Sequence, residues 1–167
     1  FDDQNRDTPP DDWSPPPAPS FAYDDRTRET HAWVTDRFDD AWGNDEFEAF
    51  CWPVTRDQAL TALDNFLNHR LPEFGPYQDA MLDDEWAMSH SLLSSSLNIG
   101  LLRPVEVIEG AVDRYEAGEA PIESVEGFVR QVAGWREFMR HVYRRAMPAM
   151  NETNQLDQTE ALPPLYY

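Results

Sequence analysis

Apolar residues recur along this chain at spacings of three and four, and nowhere alternate over the length of a useful strand. The longest stripe is Val125, Phe128, Val132, Trp135, Met139 and Val142, which predicts one long helix through residues 127–143. Met147 and Pro148 break it, and residues 147–167 show little period. Upstream, Trp33, Val34, Phe38 and Trp42 predict a helix over residues 26–42, ended by Gly43 and Asn44. Ala59, Leu60, Leu63, Phe66 and Leu67 predict another. Thr55 caps it, Gln58 closes a reciprocal capping box, and Arg70-Leu71-Pro72 stops it. Residues 74–81 read as a turn and a short helix. Leu93, Leu97 and Leu101 give an apolar face to a helix entered through serines. Pro104 opens the next, which carries Val107, Ile108, Ala111, Val112 and Tyr115 and is ended by Gly118 and Pro121. The expected fold class is all-α with long connections.

Residues 1–25 carry no such period. They are acidic and rich in proline, with Pro9-Pro10 and Pro15-Pro16-Pro17 imposing extended backbone and removing donors. Such a stretch is either a linker or a strap across a neighbouring surface. As a strap it would be anchored by Trp13, Phe21 and Tyr23.

Composition narrows the classes. The 167 residues suit one domain or a piece of a larger protein. There are 32 acidic and 13 basic residues, a formal charge of -19, and every one of the 13 is arginine. That surface repels phosphates at long range and repels itself at low salt, so a salt-adapted source is expected, although a high-GC genome alone would account for arginine in place of lysine. The single cysteine, Cys51, excludes an internal disulfide and a thiolate-only metal site within the chain. No run of eighteen apolar residues predicts a membrane span, and no leader is evident, so a cytoplasmic protein is expected. The missing initiator methionine and the apolar end at Leu162-Pro163-Pro164-Leu165-Tyr166-Tyr167 suggest a piece of a longer chain.

Few residues stand out for chemistry. His31, His69, His90 and His141 are too scattered for a metal site, and no glycine-rich phosphate loop occurs. Ser91 and Ser94 open a helix, where serine serves as a cap or, with free backbone donors, as a phosphate grip. His90, between the Tyr77 turn and the serines, suits either a buried structural role or proton transfer. Trp135 and Gln131 lie one turn apart. The pattern admits a core or interface anchor, or the wall of a pocket for a planar ligand.

Several signatures occur in order along the chain. They are Phe1-Asp2-Asp3-Gln4-Asn5-Arg6, Trp52-Pro53-Val54-Thr55-Arg56, Phe74-Gly75-Pro76-Tyr77-Gln78-Asp79-Ala80-Met81, the tract containing Trp135-Arg136-Glu137-Phe138, and the closing Leu162–Tyr167. Together they resemble the photolyase/cryptochrome superfamily, in particular its iron–sulfur prokaryotic branch, the deoxyribodipyrimidine photolyase-related proteins. The resemblance implies that residues 26–167 are the front half of a helical FAD-binding domain, with residues 1–25 an interdomain linker or strap. It implies FAD held by Tyr77, Ser91, Leu93, Ser94 and Arg136, a lesion met by Gln131 and Trp135, and proton transfer by His90. The serine-rich helix start and the Trp135 side of the long helix would then meet in one cavity.

An antenna chromophore and a 4Fe–4S cluster belong to such proteins, but this chain is expected to hold neither and to bind no metal. Its expected partners are the rest of the same polypeptide, an α/β domain before it and a cluster-binding half after it, and damaged DNA, with no membrane. The whole protein would repair (6-4) photoproducts or pyrimidine dimers under blue light, and the fragment alone would be inactive. A cryptochrome-type light sensor and a helical domain without a ligand are the alternatives. Leu92 stands where most photolyases carry arginine, and Cys51 falls at no cluster-ligand position. An acidic DNA binder needs a local basic rim, which Arg130, Arg136, Arg140, Arg144 and Arg145 supply in this reading.

Overall fold

The computed structural model of the protein describes Asn5, residues 7–38 and residues 46–161. Among these residues it is all-α, without a strand. The helices are α1 (Asp25–Arg37), α2 (Arg56–Asn65), α3 (Leu71–Tyr77), α4 (Ser94–Asn98), α5 (Pro104–Glu116), α6 (Ile122–Val129) and α7 (Trp135–Ala146). Two π-turns, Phe66–Arg70 and Arg130–Gly134, join α2 to α3 and α6 to α7. The predicted helix end at Gly43-Asn44, the stripe residue Trp42, and the Leu162–Tyr167 segment lie outside the described residues.

The capping box forms as the sequence predicts. Thr55 Oγ1 accepts from Gln58 N at 3.2 Å, and Gln58 Oε1 accepts from Thr55 N at 3.3 Å and Val54 N at 2.9 Å. Gly118 ends α5 at a φ of 73°, a left-handed conformation that an L side chain resists.

Other expectations fail for reasons of backbone geometry. Arg70-Leu71-Pro72 does not stop the second helix, which continues through Pro72 and Pro76 to Tyr77. A proline ring ordinarily clashes with the carbonyl four residues back. The wider π-turn just before Pro72 changes that spacing and lets the chain stay helical. The long stripe also divides. Val125, Phe128 and Val132 are buried, whereas Trp135 and Met139 are more than half exposed and α7 buries no residue. One extra residue in a turn offsets all later side chains by roughly 100° around the axis. Beyond the π-turn, α7 also extends past the helices that would have covered it. α1 likewise leaves Trp33, Val34 and Phe38 exposed.

The core lies where α2, α3, α5 and α6 meet. Phe66 of the first π-turn, Phe74 of α3 and Phe128 of α6 form a triangle with ring centroids 4.5 to 6.1 Å apart. All three are nearly or wholly buried, and edge-on aromatic contacts add to their burial. Leu93 and Leu102 seal the same core, with Leu97 and Leu101 packed on its margin.

α3 and α6 cross closely because Gly75 has no side chain. Gly75 N donates to Ser124 Oγ at 2.9 Å, and Ser124 Oγ donates to Pro72 O at 3.2 Å. A Cβ on Gly75 would lie 2.8 Å from Ser124 N. Across the molecule, Arg56 forks onto Glu106, with Nη2 to Oε2 at 2.9 Å, and its other nitrogen also meets Oε1 and the Leu101 carbonyl. Glu106 further accepts from Arg103 N at 3.0 Å. These bonds, led by those from Arg56, lower the Glu106 carboxyl from 4.5 to about 2.

Two measurements check this packing. Gly75→Ala should lower unfolding stability by about 1–3 kcal/mol through overpacking at the crossing, and an unchanged denaturant midpoint would contradict the close approach. Because the Glu106 pKa is depressed in the folded state, its contribution is full above pH 4.5 and fades as pH falls through about 2. The stability gap between wild type and Glu106→Gln should therefore narrow over that window. A gap that stays constant there would rule out the linkage.

Candidate functional site

One open cleft of about 480 Å³ gathers residues from three separate parts of the chain. Asn5 comes from the amino-terminal segment, Gln78 and Asp79 from the end of α3, and Arg130, Gln131, Gly134, Trp135 and Phe138 from the second π-turn and the start of α7. The amino-terminal segment is tied to α3 by Asp7 N donating to Pro76 O at 3.0 Å. Gly127, one turn before Gln131, lets Gln78 approach α6. A Cβ there would stand 3.1 Å from Gln78 Nε2 and 3.5 Å from Asn5 Nδ2. A helical glycine costs stability relative to alanine, so its presence marks a place where groups must come close.

The cleft has an aromatic wall and a carboxamide floor. Trp135 is 55% exposed, and its ring meets Phe138 edge-on at 5.7 Å. Gln131 is exposed beside it. An accessible indole next to amide donors and acceptors suits a flat, polar-edged ligand, which gains both a stacking face and an edge partner. The core-anchor role for Trp135 is thus not the one this chain shows.

The other residues singled out from sequence sit elsewhere. His90 does not line the cleft but lies behind it, its Nε2 3.2 Å from the Gln78 carbonyl. A carbonyl only accepts, so Nε2 carries the hydrogen and Nδ1 is left as the acceptor of the neutral ring. Tyr77 packs edge-on against Trp13 at 5.0 Å, while Trp13 Nε1 donates to Glu73 Oε2 at 3.2 Å. Ser91 Oγ accepts a long contact from Leu93 N at 3.5 Å. Ser94 is exposed at the first turn of the short α4. Leu93 is fully buried in the core, which leaves its side chain no surface for a cofactor. Arg136 is exposed on α7 and outside the cleft lining.

The lining of the Gln131 and Trp135 cleft includes neither Ser91 nor Ser94. Leu92, between the serines, instead lines a small recess with Phe21, Cys51, Trp52 and Trp86.

Sequence reading missed Asn5, Gln78 and Phe138 as cleft residues, and missed Arg70 entirely. Arg70 is wholly buried, and its guanidinium donates to the carbonyls of Pro16, Ala87 and Met88. Burial pushes its pKa below the usual value. Gly127 was the available signal for Gln78. No local signal marks Arg70, because its acceptors are backbone atoms far away in sequence. A second groove, of about 360 Å³, runs along α7 between Glu137, Arg140, His141, Arg144 and Arg145 and is mainly cationic. Among the described residues no group of His, Cys, Asp and Glu gathers for a metal ion, and no helix is long and apolar enough to cross a membrane.

The His90 geometry is directly checkable. Long-range proton–nitrogen correlation spectra of the neutral ring should place the hydrogen on Nε2. Protonation at Nδ1 instead would disprove the bond to Gln78.

Comparison with known proteins adds a separate line. A family described as deoxyribodipyrimidine photo-lyase-related protein matches residues 1–52. A (6-4) photolyase of Agrobacterium fabrum is 41% identical over all 167 residues, which cover 32% of that protein. An uncharacterised protein of Acanthamoeba polyphaga mimivirus is 38% identical over 69 residues, 41% of this chain and 53% of that protein. The chain thus spans about a third of the first relative and about half of the second. The matched family and the first relative both carry a photolyase description.

Proposed function

We propose, from that similarity, that this chain is part of a blue-light-driven, FAD-dependent DNA photolyase of the photolyase/cryptochrome superfamily and contributes the lesion-facing cleft. The observation that carries the reading is the meeting of Gln131 and Trp135 in one cleft with further carboxamides. The 41% identity to a (6-4) photolyase favours a (6-4) lesion over other pyrimidine dimers.

A base must leave the duplex stack to reach such a cleft, and an exposed indole lowers the cost by offering a replacement stacking surface. Trp135 would receive the flipped base, and Gln131 would bond its edge. The arginines of α7 would meet the flanking phosphates, offsetting the repulsion expected from a chain of charge -19. His90 would hold a proton near the site through its ring, positioned by Gln78.

The residues that would hold FAD fit its phosphates by chemistry. Ser94 presents an exposed hydroxyl, and Ser91 lies three residues before it in an irregular stretch with Leu92 at a φ of 58°. Hydroxyl donors suit phosphate oxygens. When bound, a reduced flavin supplies the electron that the repair chemistry requires. Arg136 and Tyr77 would contact it only with help from the remainder of the polypeptide. That remainder is also where an antenna chromophore and a 4Fe–4S cluster of the iron–sulfur branch would reside. We place the whole protein in the cytoplasm.

Illumination of the full-length protein with (6-4)-damaged DNA at high salt tests the reading. Lesions should disappear, and Trp135→Ala should slow repair at least tenfold, equivalent to about 1.4 kcal/mol of binding or barrier. Lesions that persist while the flavin photoreduces normally would sink repair and leave light sensing.

A further inference from the structure

We propose that Asn5 is a substrate-binding residue that hydrogen-bonds the edge of the pyrimidine received by the Trp135 cleft. This deepens the function proposed above and rests on it. Asn5 is only 2% exposed, yet both its Nδ2 and its Oδ1 lack a hydrogen-bond partner among the described residues. A buried carboxamide with no partner on either side is costly, by about 1–3 kcal/mol per unmet group. Its side chain also lines the cleft. Both atoms are closed to solvent as the cleft stands, so a turn of the Asn5 side chain would bring the unpaired amide to a ligand.

The surroundings define the ligand. Gln78 and Asn5 both lie against Gly127, where a Cβ would crowd Gln78 Nε2 at 3.1 Å and reach ordinary contact with Asn5 Nδ2 at 3.5 Å. Gln131 and Trp135 close the same cleft. A primary carboxamide offers one donor face and one acceptor, the complement of a pyrimidine edge, where a ring nitrogen lies next to an exocyclic oxygen or amine. Nδ2 donates to the exocyclic oxygen of an imide-type ring while Oδ1 accepts from its ring N–H. Trp135 supplies the stacking face, and Asn5, lining the same cleft, supplies the edge contact. Asn5 lies 126 positions before Gln131, so this part of the site is completed by the amino-terminal segment, which Asp7 pins to Pro76.

The test separates a ligand role from a structural one. Asn5→Leu keeps the volume and removes both polar atoms. In the full-length protein without DNA it should melt no lower than wild type, because no protein hydrogen bond is lost. Its affinity for a duplex oligonucleotide bearing one (6-4) photoproduct should fall at least tenfold, while affinity for the undamaged duplex stays the same. Asn5→Asp, which exchanges the donor for a second acceptor, should show the same selective loss and serves if the leucine variant does not fold. Wild-type preference for damaged DNA with no loss in either variant overturns the role of Asn5 and leaves the repair reading standing. A lower melting temperature with an unchanged preference does the same and assigns Asn5 to the fold. Absence of any preference in the wild type overturns both.

Discussion

Arg70 is the constraint on which the described structure most depends. Its charge sits fully inside the molecule and is met by neutral backbone carbonyls from two distant segments, Pro16 on one side and Ala87 and Met88 on the other. No carboxylate among the described residues pairs with it. Withdrawing a guanidinium from water is expensive, and only well-placed acceptors make it tolerable. Those acceptors exist only if the proline-rich segment lies across the helices and the segment before His90 folds back beneath them. Met88 even adopts a φ of 44°, a conformation that a residue of its kind rarely takes. Arg70 thus couples the amino-terminal segment, the end of the first π-turn and the approach to His90 in one arrangement.

The two π-turns act in a related way. Each interrupts a helix that the apolar period alone would have continued or ended differently. The first carries Phe66 and Arg70 inward at once, one joining the aromatic triangle and the other reaching the carbonyls. The second carries Gln131 and rotates Trp135 away from the core and into the cleft wall. An irregular turn costs hydrogen-bond geometry and recurs where a side chain must be re-aimed. Here the re-aimed groups are the buried cation and the exposed indole.

Charge is unevenly spread over this frame. Four of the 13 arginines fall within ten residues, on Arg136, Arg140, Arg144 and Arg145, in a chain otherwise dominated by carboxylates. The acidic surface discourages indiscriminate contact with phosphates, and the cationic run on α7 leaves one favourable approach beside the cleft. The exposed apolar side of the same helix, with Trp135, Phe138 and Met139, gives α7 two unlike faces.

Much of the architecture was legible from residues alone. The capping box at Thr55, the proline start at Pro104, the Gly118 stop and the inward positions of Leu63, Phe66 and Phe128 follow from local rules, since each depends on neighbours within a turn or two. The Gln131 and Trp135 pairing was legible for the same reason, as was the absence of strands among the described residues. What the sequence could not decide depends on distant backbone. The burial of Arg70 and of the unpartnered Asn5 amide is settled by which segments lie across which. A three-and-four period specifies the side of a helix that is apolar. Whether anything covers that side depends on where the helix runs, and only tertiary packing sets that.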